Sequence, residues 1–286
     1  MFPSWEHDQN MAVRIISAIV GIVIGVSVLI ADISWLYMAV LAFFGAVGVW
    51  ELIRAVKCDR HKLLKWFCTI FAAAVPFVLN VPAIRRYAVT IYLAFVFCLL
   101  LIMLAKHETV KFSDVAMCGC AALSIPGALS CILFVRYSVE NAAMGVFLIV
   151  YTLFCAWFGD SGAYFVGTFF GKHKLCPKVS PKKTVEGLIG GIVTVGIVVF
   201  IQCLVYNLFI ASESFMSYAV LIPVGMTASL VGVLGDLTAS VIKRQYNVKD
   251  FGNIMPGHGG VLDRFDSVLF TAPFLFVVFS FISPVA

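Results

Sequence analysis

Long apolar runs recur along the whole chain, and they constrain the fold more than any other feature. The chain has 286 residues, of which 62% are hydrophobic and only 12% charged. A helix that crosses a bilayer needs about 17–25 predominantly apolar residues. The pattern therefore predicts an all-α, polytopic integral membrane protein without a sizeable soluble domain. Nine spans are predicted, at residues 14–31, 35–53, 64–80, 88–105, 113–135, 142–159, 188–210, 218–242 and 265–283.

The distribution of basic residues predicts how these spans are oriented. Cytoplasmic loops of membrane proteins are enriched in Lys and Arg. With the N-terminus in the cytoplasm and the C-terminus outside, 17 of the 20 Lys and Arg residues fall on the cytoplasmic side. This bias explains the net charge of +5 without a nucleic-acid partner. We expect one integral unit, with N-terminal membrane helices at 1–140 and C-terminal helices carrying a cytoplasmic-side site at 141–286.

Charge is concentrated in one short segment, Ser240–Asp266. Its 27 residues contain four cationic side chains, three carboxylates, one His and four Gly. Just before it, Asp236 lies in the eighth span, and helical spacing places Asp236, Ser240 and Lys243–Arg244 on one face. Asp236 is then about 10 Å from the cytoplasmic end of its helix. A carboxylate at that depth must be compensated, either by an internal ion pair with Lys243 or another helix, or by a metal ion below phosphate-binding residues.

The second half of this segment is typical of a phosphate-binding loop followed by a helix. The run Pro256–Gly260 cannot form a regular helix, and its glycines allow close backbone approach to a ligand. Asp263 and Asp266 are predicted in the first turn of the last span, where acidic residues are also favoured by the helix dipole. Together, Asp236 and Asp263 could hold Mg²⁺ and leave positions open for phosphate oxygens.

A third polar cluster is predicted on the same side of the membrane. Asp160 lies in an apolar run from Ala142 to Gly171, which is too long for one crossing and predicts a break or a cytoplasmic extension near Gly159–Gly162. After it, residues 180–184 are predicted to form a turn that is restrained by a proline and lies beside a helix N-terminus. Such a turn could bind phosphate. Its candidate ligands are Lys182, Lys183 and Thr184, followed by Glu186.

These residues resemble those of a known enzyme family. The pattern over 240–266 resembles the signature of the phosphatidate cytidylyltransferases, also called CDP-diacylglycerol synthases. The resemblance extends to two further runs and covers about residues 155–270, whereas the N-terminal half matches only as a generic set of spans. The matching runs are Ser240-x-x-Lys243-Arg244-x4-Lys249-Asp250-x-Gly252-x-x-Met255-Pro256-x-His258-Gly259-Gly260-x-x-Asp263-Arg264-x-Asp266, Asp160-x-x-Ala163-Tyr164-x-x-Gly167 and Ser180-Pro181-Lys182-Lys183-Thr184-x-Glu186-Gly187.

The resemblance implies a reaction of phospholipid biosynthesis, in which CTP and phosphatidic acid in the bilayer give CDP-diacylglycerol and pyrophosphate. It implies Mg²⁺ bound by Asp236 and Asp263, a nucleotidyltransferase site open to the cytoplasm, and a homodimer. Lys243 and Arg264 are expected to act in catalysis by contacting phosphates. His258 is expected either to orient a phosphate or to brace the glycine loop. The expected substrate-binding residues are Ser240, Arg244, Lys249, His258, Asp160, Lys182, Lys183 and Thr184.

Two other classes of protein remain open on the residues alone. A polyprenol or phytol kinase would use a similar site, although it does not share the full signature. A cation-coupled transporter could use Asp160 and Asp236 as relay carboxylates. Such a transporter is expected to contain two related halves with broken helices, and no internal repeat is seen in the sequence. The small size, without additional domains, favours a bacterial inner membrane protein.

Overall fold

The computed structural model describes residues 19–211, 215–255 and 259–286. Within these ranges, seven helices are long and apolar enough to cross a membrane. This confirms the prediction of an all-α polytopic membrane protein. The seven helices are α2 (Ser34–Ala55), α3 (Lys62–Asn80), α5 (Ala88–Ala105), α6 (Phe112–Arg136), α7 (Ala142–Phe170), α8 (Val185–Phe209) and α9 (Tyr218–Gln245).

Shorter elements account for the remaining regular structure. The predicted first and last spans correspond to two helices, Ile19–Ala31 and Val268–Phe279, that are shorter than the seven. The total of nine spans and their orientation therefore stay predictions. Part of the first predicted span, residues 14–18, lies outside the described residues. The shorter elements are α1 (Ile19–Ala31), α4 (Pro82–Arg85), α10 (Leu262–Phe265), α11 (Val268–Phe279) and the strands β1 (Lys174–Cys176) and β2 (Ser180–Thr184).

The described chain divides into two compact units. Unit 1 contains residues 1–130 and 246–264, and unit 2 contains residues 131–245 and 265–286. The signature segment is therefore divided between them, because its residues 246–264 belong to unit 1 while its ends belong to unit 2. The predicted boundary at 140/141 stays a prediction.

Unit 1 is held together by packing of α2 on α3 and by aromatic contacts between α3 and α5. Phe95 of α5 stacks between two rings of α3, with ring centroids 3.7 Å from Phe71 and 5.3 Å from Phe67. In a bilayer, lipid tails are as apolar as these side chains, so van der Waals contact of this kind contributes much of helix association.

Unit 2 is built from α7, α8, α9 and α11 around the fully buried Tyr151. The hydroxyl of Tyr151 donates a hydrogen bond to the carbonyl oxygen of Leu221 at 2.8 Å. Helices α7 and α8 approach closely, because a Cβ at Gly187 or Gly191 would lie 2.6 Å from a carbonyl oxygen of α7. Small residues four apart are a common basis of close packing between membrane helices. This packing fixes α7, which carries Asp160, against the start of α8.

Two local predictions around Asp160 can be compared with the structure. Helix α7 is continuous over 29 residues, so of the two predicted alternatives there is no break near Gly159–Gly162, and the cytoplasmic extension stays a prediction. Ser180–Thr184 is not a turn but strand β2, which pairs antiparallel with β1 in a two-stranded sheet. Pro181 is tolerated because such a sheet has only edge strands, on which proline need not donate a ladder hydrogen bond. The connecting turn occupies residues 177–179 instead.

Candidate active site

Asp236 on α9 lies at the centre of a polar cluster in unit 2. Its Oδ2 forms an ion pair with the Nζ of Lys183 on β2, and both side chains are about one-quarter exposed, at 26% and 23%. The hydroxyl of Ser240, one turn later on α9, donates to Oδ1 of Asp236 at 3.4 Å. The predicted helical face is therefore present. Lys183, from a strand, supplies a compensating positive charge, and the predicted ion pair with Lys243 of the same helix stays a prediction.

Two further carboxylates belong to this cluster. Asp160 of α7 accepts a hydrogen bond on Oδ2 from the hydroxyl of Ser267 at 2.8 Å. Asp266 is 8% exposed and accepts from the backbone N–H of Ser267 at 2.8 Å. Asp160 and Asp266 each interact electrostatically with Asp236, and Lys243 interacts with Asp266. Because these carboxylates repel each other, the cluster favours a bound cation.

Close backbone packing brings Asp266 to α9. Any Cβ at Gly235 would collide with the carbonyl oxygen of Asp266, and a Cβ at Gly232 would lie 2.9 Å from the hydroxyl of Thr271. Glycine at these positions lets the start of α11 lie directly against α9. Asp263 and Asp266 were predicted in the first turn of the last span. That prediction is wrong, because Asp263 belongs to the short helix α10 and Asp266 precedes α11.

The two candidate lysines on strand β2 lie in different surroundings. Successive side chains of a strand point to opposite faces. Lys183 is half-buried and paired with Asp236, whereas Lys182 is exposed. Thr184 is buried and caps α8, since its hydroxyl accepts from the N–H of Gly187 at 3.1 Å. The structure thus favours Lys183 over Lys182 as a site residue and gives Thr184 a structural role.

The hairpin is tied to the ends of two helices. Glu186, in the first turn of α8, accepts hydrogen bonds from the backbone N–H groups of Lys172 and His173, and it pairs with Nδ1 of His173 at 2.6 Å. Arg244, near the end of α9, donates from Nε to the carbonyl oxygen of Val179 at 3.4 Å. These contacts fix the position of β2, and therefore of Lys183.

The donor atoms of the cluster are hard oxygens. Among the residues that the structure describes, no group of three or more His, Cys, Asp or Glu converges closely enough to hold a metal ion by itself. Magnesium is commonly bound by one or two carboxylates together with substrate phosphates, and not by an all-protein cage. The hard oxygen donors of the residues present are therefore compatible with the ligand chemistry of Mg²⁺.

Asp263, the second predicted metal ligand, lies in unit 1 and organises the signature loop there. Its Oδ2 accepts from the backbone N–H of Phe251 at 2.9 Å and of Gly260 at 3.1 Å. Gly259, between them in the loop, has a φ of +84°, a conformation that favours glycine. The loop closes through a backbone hydrogen bond from Met255 to Gly259 at 3.0 Å.

Three other predicted site residues, Lys249, His258 and Arg264, belong to the same segment of the sequence. Lys249 and Arg264 are exposed. His258, with Pro256 and Gly257, lies outside the described residues, so its two predicted roles stay predictions.

Sequence analysis did not single out Glu51, a fully buried carboxylate on α2. Its oxygens accept from the backbone N–H groups of Val261 at 3.1 Å and Leu262 at 2.9 Å, where α10 begins. The signal was available in the sequence, because a carboxylate within an apolar span is costly unless it has a structural or functional partner. Glu51 anchors the signature loop to a membrane helix.

We expect Gly252→Ala to destabilise unit 1, because the added Cβ would collide with the carboxylate of Glu51. Overpacking of this kind costs about 1–3 kcal/mol. Thermal unfolding of the detergent-solubilised protein measures the effect. Gly25→Ala is the matched control, since a Cβ there has nothing within 4 Å. Equal midpoints for the two variants would contradict the assigned contact between Glu51 and the loop.

Comparison with known proteins defines the class to which this fold and site belong. Residues 12–282 match the model of the Cytidylyltransferase family. The chain therefore belongs to the cytidylyltransferase family and is a membrane-embedded nucleotidyltransferase.

Individual relatives carry a more specific name. A phosphatidate cytidylyltransferase of Bacillus subtilis is 36% identical over 246 residues, which is 84% of this chain and 87% of that protein. One from Haemophilus influenzae is 30% identical over 286 residues, covering 94% of this chain and 98% of that protein. One from Staphylococcus aureus is 43% identical over 141 residues, about half of each chain at 48% and 50%. The resemblance stated from the sequence motifs is thus confirmed.

Proposed function

We propose that this protein is a phosphatidate cytidylyltransferase, which transfers the cytidylyl group of CTP to phosphatidic acid and releases pyrophosphate. The observation that carries the proposal is the cluster of Asp160, Asp236 and Asp266 with Lys183 and Lys243, formed by membrane helices and the adjoining hairpin. Two relatives with this name match most of the chain. Polar groups carried by membrane helices suit a substrate whose phosphate lies at the bilayer surface and whose acyl chains lie within it.

The reaction requires positioning and charge neutralisation more than activation of a nucleophile. A phosphate oxygen of phosphatidic acid attacks the α-phosphorus of CTP, and the bond from that phosphorus to the oxygen bridging to the β-phosphorus breaks. That oxygen leaves with the electron pair as part of pyrophosphate. The attacking oxygen is already anionic, so no general base is needed. The main barrier is the approach of two polyanions, which positioned cations lower.

Magnesium would bind at Asp236 and, as predicted from the signature, at Asp263. When bound, it would neutralise phosphate charge and polarise the bonds at the reacting phosphorus. Lys183 holds Asp236 in place through their ion pair, and it would supply positive charge beside a bound phosphate. Ser240 orients the other oxygen of Asp236. Asp160, held by Ser267, and Asp266 add negative charge that favours the cation.

The other predicted residues complete the proposed substrate site. Four basic residues are proposed to contact the phosphate groups of the substrates: Lys243, Arg244, Lys249 and Arg264. His258 is a further candidate for such a contact. Lys182 and Thr184 are weaker candidates, because the first is exposed and the second caps α8. We further propose that the site faces the cytoplasm, where CTP is available, in a bacterial inner membrane. A homodimer and the absence of a nucleic-acid partner stay predictions.

Position-specific labelling of CTP distinguishes this reaction from a lipid kinase. The purified protein is incubated with Mg²⁺ and CTP labelled at either the α- or the γ-phosphate, in parallel reactions that offer phosphatidic acid, a polyprenol or phytol as the acceptor. We expect α-label in the lipid fraction and γ-label in pyrophosphate. Transfer of the γ-label to a polyprenol or phytol acceptor, with none of the α-label entering phosphatidic acid, would replace the proposal with the kinase alternative.

A further inference from the structure

Unit 1 contains a cavity of about 600 Å³ outside the signature residues. It is lined by residues at the start of α3, at the end of α5 and in the connection between α5 and α6. Four basic side chains line it together with apolar residues that include Leu64 and Ile102. The basic residues are Arg60, Lys62, Lys106 and Lys111.

The positive charge in this cavity is only partly compensated. Asp114, the carboxylate beside it, pairs with Arg60 at 3.0 Å and with Nε2 of His61 at 3.0 Å. Within the described ranges, neither Lys62, Lys106 nor Lys111 takes part in an ion pair. Three basic residues that line one cavity and form no ion pair among the described residues favour an anionic ligand.

The surroundings of the cavity indicate the depth at which this ligand would lie. Helices α3 and α5 are both candidate membrane spans, and the cavity is at their ends. Large apolar side chains next to its lining residues are exposed, including Leu104 at 69% and Phe112 at 67%. Basic groups bordered by exposed apolar side chains at a helix end are typical of the headgroup region of a membrane.

We propose that this cavity binds the phosphate headgroup of an anionic phospholipid, which Lys62, Lys106 and Lys111 contact while the acyl chains lie along α3 and α5. Basic pockets between membrane helices on the cytoplasmic side are suited to such headgroups. A soluble phosphate would satisfy the lysines but would make no use of the exposed apolar surface. The inference depends on the membrane fold and is independent of the proposed reaction.

Ligand-induced thermal stabilisation in detergent tests this site. The probes are dioctanoyl-phosphatidylglycerol, dioctanoyl-phosphatidylcholine and inorganic phosphate. We expect saturable stabilisation by phosphatidylglycerol alone. In Lys62→Gln/Lys106→Gln the half-saturating concentration should rise roughly tenfold or more, since each lysine near an anionic lipid contributes about 1 kcal/mol. Both lysines are exposed, so the unliganded protein should keep its unfolding midpoint.

A matched variant controls for the loss of two positive charges. Arg54→Gln/Lys57→Gln removes exposed basic residues of unit 1 that do not line the cavity, and it should bind phosphatidylglycerol as the unmodified protein does. The single variant Lys106→Gln provides a second measurement if the double variant is poorly folded. An unchanged half-saturating concentration in the cavity variants would overturn the proposal. So would equal stabilisation by inorganic phosphate, which would indicate a site for free phosphate, or by phosphatidylcholine.

Discussion

Asp236→Asn is expected to lower the cytidylyl transfer rate about 10²–10³-fold, the scale on which single electrostatic groups in active sites act. The carboxylate is central to the polar cluster, where it pairs with Lys183 and accepts from Ser240. Asparagine has nearly the same shape but no charge, so it would weaken both the proposed metal site and the ion pair with Lys183. The rate is measured as CTP- and phosphatidate-dependent pyrophosphate release at saturating Mg²⁺.

A control on the same helix separates chemistry from folding. Thr238 lies two residues away, is exposed, and donates its hydroxyl only to the carbonyl oxygen of Leu234 among the contacts described. Thr238→Val should retain activity within a factor of two or so. Both variants should accumulate in the membrane and elute as the unmodified protein does. A rate for Asp236→Asn within the range of the Thr238→Val control would remove Asp236 from the proposed metal site.

Two adjacent lysines are expected to behave very differently. Lys183→Ala should lower the rate about 10²-fold or more, because it leaves Asp236 without its cation and removes a candidate phosphate contact. Lys182→Ala should be close to neutral, because strand alternation turns that side chain away from Asp236. The measurement is the same pyrophosphate assay, with CTP and phosphatidic acid varied separately.

Non-additivity provides a sharper test of the ion pair between Lys183 and Asp236. If the two residues act as a unit, the double variant Asp236→Asn/Lys183→Ala should be little slower than the slower single variant. Lys183→Arg, which keeps the charge, should recover part of the rate. Equal losses for Lys182→Ala and Lys183→Ala would contradict the placement of β2 beside α9.

Much of this architecture could be predicted because a bilayer imposes simple rules on a sequence. Every backbone polar group in lipid must be satisfied within its own helix, so apolar length predicts helix position well. The ranges predicted for α2, α3, α5, α6 and α9 agree with the structure to within a few residues. The grouping of Asp236 with Ser240 followed from helical periodicity alone.

Other features could not be predicted, because they depend on which distant residues meet. The proline at 181 favoured a turn, but pairing with residues 174–176 made the segment a strand. Glu51 is separated by more than two hundred residues of sequence from the backbone N–H groups that donate hydrogen bonds to it, and no local sequence pattern connects them. The basic cavity likewise combines two loops, around residues 60 and 106, whose lysines in isolation indicate only topology.

The most direct test of the central claim is pyrophosphate release by the purified, detergent-solubilised protein. We predict that release requires both CTP and phosphatidic acid, occurs with formation of one CDP-diacylglycerol per pyrophosphate, and stops when EDTA removes the divalent metal. Release that persists in EDTA would contradict the metal-dependent site. No release from a well-folded protein with both substrates and Mg²⁺ present would contradict the proposed function itself.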